Sequence, residues 1–217
     1  MTKTLLRGGC VLTLGSRTSN LASGDVLLED GRIAEVGTGL RARDAEEIDV
    51  SAGIVLPGFV DAHRHVWTSL FRNLGRTAPP TSADVTSMHP DDVYAATLVG
   101  LVGAAATGIT TVADWFDCPT EADELADAAL QAHADAGLRT VFVEATRGVS
   151  TGTRGDGDAV RRMLGRLRSR AGATTTIAFG SDAFDPAELV EESWAAAREV
   201  GARIHLHAAP RGEIGRA

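Results

Sequence analysis

A chain of 217 residues with 44% apolar side chains can bury one large core, or a large domain with a small companion. Its formal net charge of −8, with Lys3 the single lysine, provides no basic cluster, which excludes nucleic acid and anionic membrane as expected partners. No run approaches the ~20 apolar residues of a membrane span, the N-terminus lacks an apolar leader core, and Cys10 and Cys118 form no paired motif, so a cytoplasmic protein with reduced thiols is expected.

Over residues 4–51, short alternating runs broken by Gly, Ser and Asn read as antiparallel strands. Asp30-Gly31 between two of them is a hairpin turn, since Gly supplies the positive φ that such turns demand. A change of pattern then predicts a boundary, with a small N-terminal β portion over 1–53 and an α/β region over 54–217.

The second region opens on Ile54-Val-Leu-Pro-Gly-Phe-Val-Asp61-Ala-His63-Arg-His65, an apolar run ending in two histidines spaced i, i+2. On a strand this spacing puts both imidazoles on one face, with Cα atoms ~6.6 Å apart. Metal–nitrogen bonds of ~2.0–2.1 Å would let both rings grip one ion and leave positions for further ligands. A surface strand with two incidental histidines has the same spacing. A long connection follows, through Trp67, Arg72, Pro79-Pro80 and Met88, placed where a pocket wall or lid would sit. Trp67 suits either such a wall or the core.

Pro90 with Asp91 and Asp92 starts a helix through Ala106, stopped by Gly108. A strand over 109–114 leads to Thr120-Glu-Ala-Asp123, a capping-box-like start to a helix ending at Gly137. A strand over 139–144, a helix over 158–170, a strand over 174–179, a helix from Asp185 to Gly201 and a strand over 202–207 complete the series. Alternating strands and helices mean a parallel sheet with helical crossovers, either an open doubly wound sheet or a (β/α) barrel. No Gly-x-Gly-x-x-Gly follows a strand, and five strands are visible where a closed barrel has eight.

Chemistry in such folds sits at the C-terminal strand ends. Those ends carry His63 and His65, Asp114, Glu144, Asp182, and the pair His205 and His207. Each of the three acids also suits a loop or helix cap. His89, at a helix start, and His133, within a helix, are assigned capping or solvated roles. Trp67 and Trp115 are candidate apolar surfaces for a planar substrate.

Pro57-Gly-Phe-Val-Asp61-Ala-His63-Arg-His65, Gly108-Ile-Thr-Thr-Val-Ala-Asp114 and Ile204-His-Leu-His207 resemble successive landmarks of the amidohydrolase superfamily, in its cytosine-deaminase-like and chlorohydrolase-like branch. Residues 4–51 resemble that family's N-terminal β-sandwich portion. The resemblance implies a partial (β/α)8 TIM-type barrel, a metal-activated water, and hydrolysis of amide, amidine or ring carbon–substituent bonds in a small-molecule substrate. It implies His63, His65 and His207 as metal ligands, with His205 on the same face as the alternative to His207. Asp61 would orient a ligand histidine. The bridging lysine of binuclear relatives has no counterpart, so a single Zn²⁺ or Fe²⁺ is implied. Pro210 stands where related deaminases have a proton-shuttling glutamate, and the family's sixth-strand histidine and eighth-strand aspartate would fall beyond Ala217. A homo-oligomer or a complementing C-terminal chain is therefore expected. The alternatives are a non-catalytic remnant or subunit, and an open-sheet small-molecule-binding domain.

Overall fold

Two five-stranded sheets organise the chain, one within residues 1–58 and the other within 59–217. The computed structural model describes residues 2–16, 18–72, 88–118, 123–145, 157–182 and 187–207.

The first sheet contains β1 (Lys3–Val11), β2 (Leu21–Glu29), β3 (Arg32–Gly37), β4 (Glu46–Asp49) and β5 (Ile54–Val55). β1, β2 and β3 pair antiparallel, and Asp30 and Gly31 both take positive φ, 48° and 76°, as the hairpin between β2 and β3 requires. β4 differs from the antiparallel expectation and runs parallel to β1, as does β5, whose residues the sequence placed at the opening of the α/β region. The reason lies in residues 38–45, which carry the chain from the β3 edge of the sheet across to the far side of β1 instead of turning back. Buried Asp25 pins that crossing, accepting the Gly8 N–H at 2.9 Å and the Leu40 N–H at 2.9 Å. A buried carboxylate is tolerated because both oxygens are satisfied. Since Ile54–Val55 pairs with β1, the division falls at Gly58/Phe59, a few residues beyond the sequence-based boundary.

The second sheet is entirely parallel, in the order β10-β9-β8-β7-β6, where β6 is Phe59–Arg64, β7 Ile109–Phe116, β8 Arg139–Ala145, β9 Thr175–Asp182 and β10 Ile204–His207. Every strand lies beside its sequence neighbour, so the order never reverses as it does at the switch point of a doubly wound sheet. The α/β region is therefore built as a half-barrel. A 3₁₀ turn, Val66–Phe71, follows β6; then come α1 (Pro90–Ala106), α2 (Asp123–Ala136), α3 (Gly157–Arg170) and α4 (Ala187–Glu199). Asp92 Oδ2 accepts the His89 N–H at 2.9 Å at the α1 start, the first-turn role that its sequence suggested. The predicted helix starts at Thr120 and Asp185 lie outside the described residues. No described helix is long and apolar enough to cross a membrane.

Strand alternation sorts side chains between two faces. Phe116, Phe142, Ile177 and Phe179 point to the helices, packing with Leu125, Leu130, Leu164 and Leu167 in the main core. Trp115, Val143, Ala145 and Ala178 occupy the inner face. α1 is apolar all round, burying Val93, Ala96, Leu101 and Ala104 while Val99 and Val102 remain 47% and 57% exposed.

Gly100 lets α1 approach the turn after β6. A Cβ there would lie 2.8 Å from Val66 Cγ1 and 3.2 Å from the Val66 carbonyl oxygen, and against Ser69 Oγ. Backbone cannot yield as a flexible side chain can, so Gly100→Ala is expected to destabilise the protein by about 1–3 kcal/mol, read from a denaturant titration.

Candidate metal centre

β6 and β10 are the two edges of the parallel sheet, separated by three strands. In a flat sheet four strand spacings would put them ~19 Å apart. The sheet curls instead. Ring centroids of His63 and His207 are 5.2 Å apart, those of His63 and His65 5.0 Å, and those of His65 and His207 5.6 Å. One side-chain nitrogen from each of the three lies within 4.8 Å of the others. A tetrahedral ion with ~2.0–2.1 Å bonds requires nitrogens about 3.3–3.4 Å apart, which small ring rotations supply. Three imidazoles form a donor set suited to a divalent transition metal.

Trp115 backs the cluster from the inner face, 5.0 Å from His207 and 5.8 Å from His63 by ring centroid. Asp117, directly after β7, takes His65 Nδ1 at 3.0 Å on Oδ1, and the same oxygen accepts the Trp67 indole N–H at 2.9 Å. Trp67 is 2% exposed and belongs to the main core, so its link to the site runs through Asp117. An open cavity of about 640 Å³ borders this end of β6, lined by His63, Arg64, His65, Phe71 and Arg72.

Other strand-end residues are placed differently from the sequence expectation. Asp61 does not reach an imidazole: its Oδ2 pairs with Arg64 Nε at 2.9 Å and its Oδ1 accepts the His63 backbone N–H at 3.4 Å. Asp114 is fully buried on the helix-facing side, away from the three rings, because it alternates with Trp115. Glu144 alternates with Val143 and shares the helix-facing side with Thr140 and Phe142. His205 lies at Gly180 in the sheet register, outside the group of three converging nitrogens. Asp182 is paired in register with His207, and its side chain lies outside the described residues, as do Pro210 and residues 73–87.

His133 is a correction. It is neither solvated nor a cap but completely buried, its Nε2 2.7 Å from Asp114 Oδ2 and its Nδ1 2.9 Å from Thr140 Oγ1. The sequence reading missed Asp117 and this network. The available signal for Asp117 was a second carboxylate three residues after Asp114 at the same strand end; for His133 it was a polar residue on the apolar stripe of α2 with Leu125, Ala126, Ala129 and Leu130.

A model of the amidohydrolase family matches residues 54–216. The chain belongs to the amidohydrolase family. It is 28% identical to the 5-methylthioadenosine/S-adenosylhomocysteine deaminase of Syntrophomonas wolfei over 220 residues, 94% of this chain and 48% of that protein. Among solved structures it resembles the triazine hydrolase of Arthrobacter aurescens with a TM-score of 0.82 and 25% identity, covering 97% of this chain and 54% of that one. The atrazine chlorohydrolase of Arthrobacter aurescens TC1, complexed with zinc, matches with a TM-score of 0.79 and 26% identity over 96% of this chain and 53% of that one. This amidohydrolase chain thus spans about half the length of the curated relatives it matches.

Burial, followed by repulsion from His65 and His207, holds the His63 imidazole below its ordinary value of 6.5. The unfolded chain then takes up this proton first as pH falls. In metal-free protein the His63 contribution costs no stability above about pH 6.5 and is increasingly unfavourable below it, down to the folded-state value. Denaturant titrations between about pH 7.5 and 5.5 should show stability falling with pH, and His63→Asn should flatten that slope.

Proposed function

We propose that this chain supplies the first part of a mononuclear Zn²⁺ or Fe²⁺ site in a hydrolase of carbon–nitrogen or related bonds in nitrogen heterocycles. The observation that carries the reading is the convergence of His63, His65 and His207 from the two edges of the curled sheet. Deamination is named for the curated relatives and for some of the solved structures, triazine hydrolysis for others, and zinc for two of them. Their shared substrate chemistry is a nitrogen heterocycle bearing a displaceable ring substituent.

His63, His65 and His207 would hold the cation, which when bound supplies Lewis-acid activation of water for attack on an electrophilic ring carbon. His65 presents Nε2 to the centre because Asp117 engages Nδ1, the carboxylate–histidine arrangement that fixes tautomer and ring orientation. Trp115 lines the inner side of the site with an apolar surface that suits a planar ring.

A second reading is a subunit that is active only with a complementing chain. It is favoured by the edge strands β6 and β10, where Phe59, Val60 and Leu206 are 52%, 66% and 50% exposed. Uncovered apolar parallel edges invite pairing with another chain.

Elemental analysis of protein purified without chelator should find about one zinc or iron per chain, with His63→Ala losing most of it. Asp117→Ala should weaken metal affinity by about 10–100-fold, measured by competition with a chromogenic chelator. Absence of any bound transition metal would overturn the reading. Release of ammonia from 5'-deoxyadenosine or an aminated triazine, assayed with and without a polypeptide covering the remaining barrel strands, separates the stand-alone enzyme from the subunit.

A further inference from the structure

A polar chain that the proposed chemistry does not use lies on the helix-facing side of the parallel sheet. Asp114, His133 and Thr140 are 0%, 0% and 1% exposed, and the His133 ring packs edge-on to Phe142 at 5.7 Å. Removing groups of this kind from water is costly, and the cost is offset here by hydrogen bonds among the three side chains and to the backbone. In the neutral tautomer that carries its proton on Nε2, His133 donates to Asp114 Oδ2 at 2.7 Å, since a carboxylate oxygen accepts, and takes the Thr140 hydroxyl on Nδ1 at 2.9 Å. The other carboxylate oxygen, Asp114 Oδ1, accepts the Val66 N–H at 2.9 Å.

Val66 directly follows His65 and begins the 3₁₀ turn. The β6–β7 ladder is irregular between Asp61 and Arg64, where three residues of β6 span two of β7, and it ends at the Arg64–Asp114 pair. Where the chain leaves the sheet, the Val66 N–H therefore has no ladder partner and takes the Asp114 side chain. We infer that Asp114, His133 and Thr140 are positioning residues: by holding the Val66 amide from beneath the sheet they fix where the backbone departs from β6, and so aim His65 at His63 and His207. Asp117, itself held by the Trp67 indole N–H, fixes the His65 ring; Asp114 and His133 hold the backbone that carries it. This inference rests on the metal reading of the site for its consequence but not for its geometry.

The test compares Asp114→Ala, which loses both bonds, with Asp114→Asn, which keeps an oxygen for Val66 and can meet the other imidazole tautomer through its amide. Each full chain is measured for Val66 amide hydrogen exchange without metal, Zn²⁺ affinity by chelator competition, and unfolding stability. Asp114→Ala should speed Val66 exchange by at least about tenfold relative to amides of β8 and weaken Zn²⁺ binding by about 10–100-fold, with Asp114→Asn restoring most of both. A purely structural role would lower stability while leaving the zinc affinity of the folded protein and the relative Val66 exchange unchanged; that result overturns the inference. If Asp114→Ala does not fold, Thr140→Val, which keeps the shape and removes one hydroxyl, should move both readouts in the same direction by about threefold or more, and no change there overturns it. Wild-type protein that binds no zinc, with Val66 exchange still responding to Asp114→Ala, would sink the metal reading and leave the backbone clamp standing.

Discussion

Curvature of one parallel sheet is the constraint on which the site depends. His63 and His65 sit on one edge strand and His207 on the other, and no local interaction links residues so far apart in the chain. Only a sheet coiled enough to bring its two edges face to face allows their rings to meet at 5.0–5.6 Å. Right-handed strand twist and the helical cover on one side supply that curl, because a helix layer on the outer face leaves the inner face to close on itself.

The same geometry divides labour between the faces of each strand. β7 illustrates it: Trp115 turns inward to back the histidines, while Asp114 and Phe116, one residue to either side, turn outward to α2 and the main core. The strand then ends in Asp117, which is released from alternation and reaches His65. Three consecutive chemistries, a buried outward brace, an inward aromatic wall and a terminal orienting carboxylate, thus come from four residues. β8 repeats the outward pattern with Thr140, Phe142 and Glu144.

The turn after β6 is held from several sides. Gly100 gives it room against α1, Arg64 reaches the Gly100 carbonyl oxygen at 3.4 Å, Asp114 takes its first amide, and Thr68 Oγ1 donates to the His65 carbonyl at 2.7 Å. A histidine at a strand terminus has lost the ladder that fixes residues within the sheet, so its aim must come from such contacts.

Much of this was written locally. Alternation and turn residues gave the β-rich N-terminal portion and its Asp30-Gly31 hairpin; Pro90, Gly108, Gly137 and Gly201 bracketed helices that form at those places, and the His-x-His and His-Leu-His strand ends marked the centre. These features depend on neighbours along the chain, where backbone conformation and periodicity act. Periodicity and spacing left a doubly wound sheet and His205 open, and only the family resemblance pointed to a barrel and to His207. The tertiary structure has the monotonic strand order, brings His207 rather than His205 into the converging group, and decides by itself the parallel placement of β4 and β5. It also turned Asp114 and Glu144 away from the site, tied Asp61 to Arg64, and buried His133 behind the sheet. A strand end and its period specify two faces but not which one meets helices and which carries the converging histidines; that assignment is made only when the sheet curls and one side is covered.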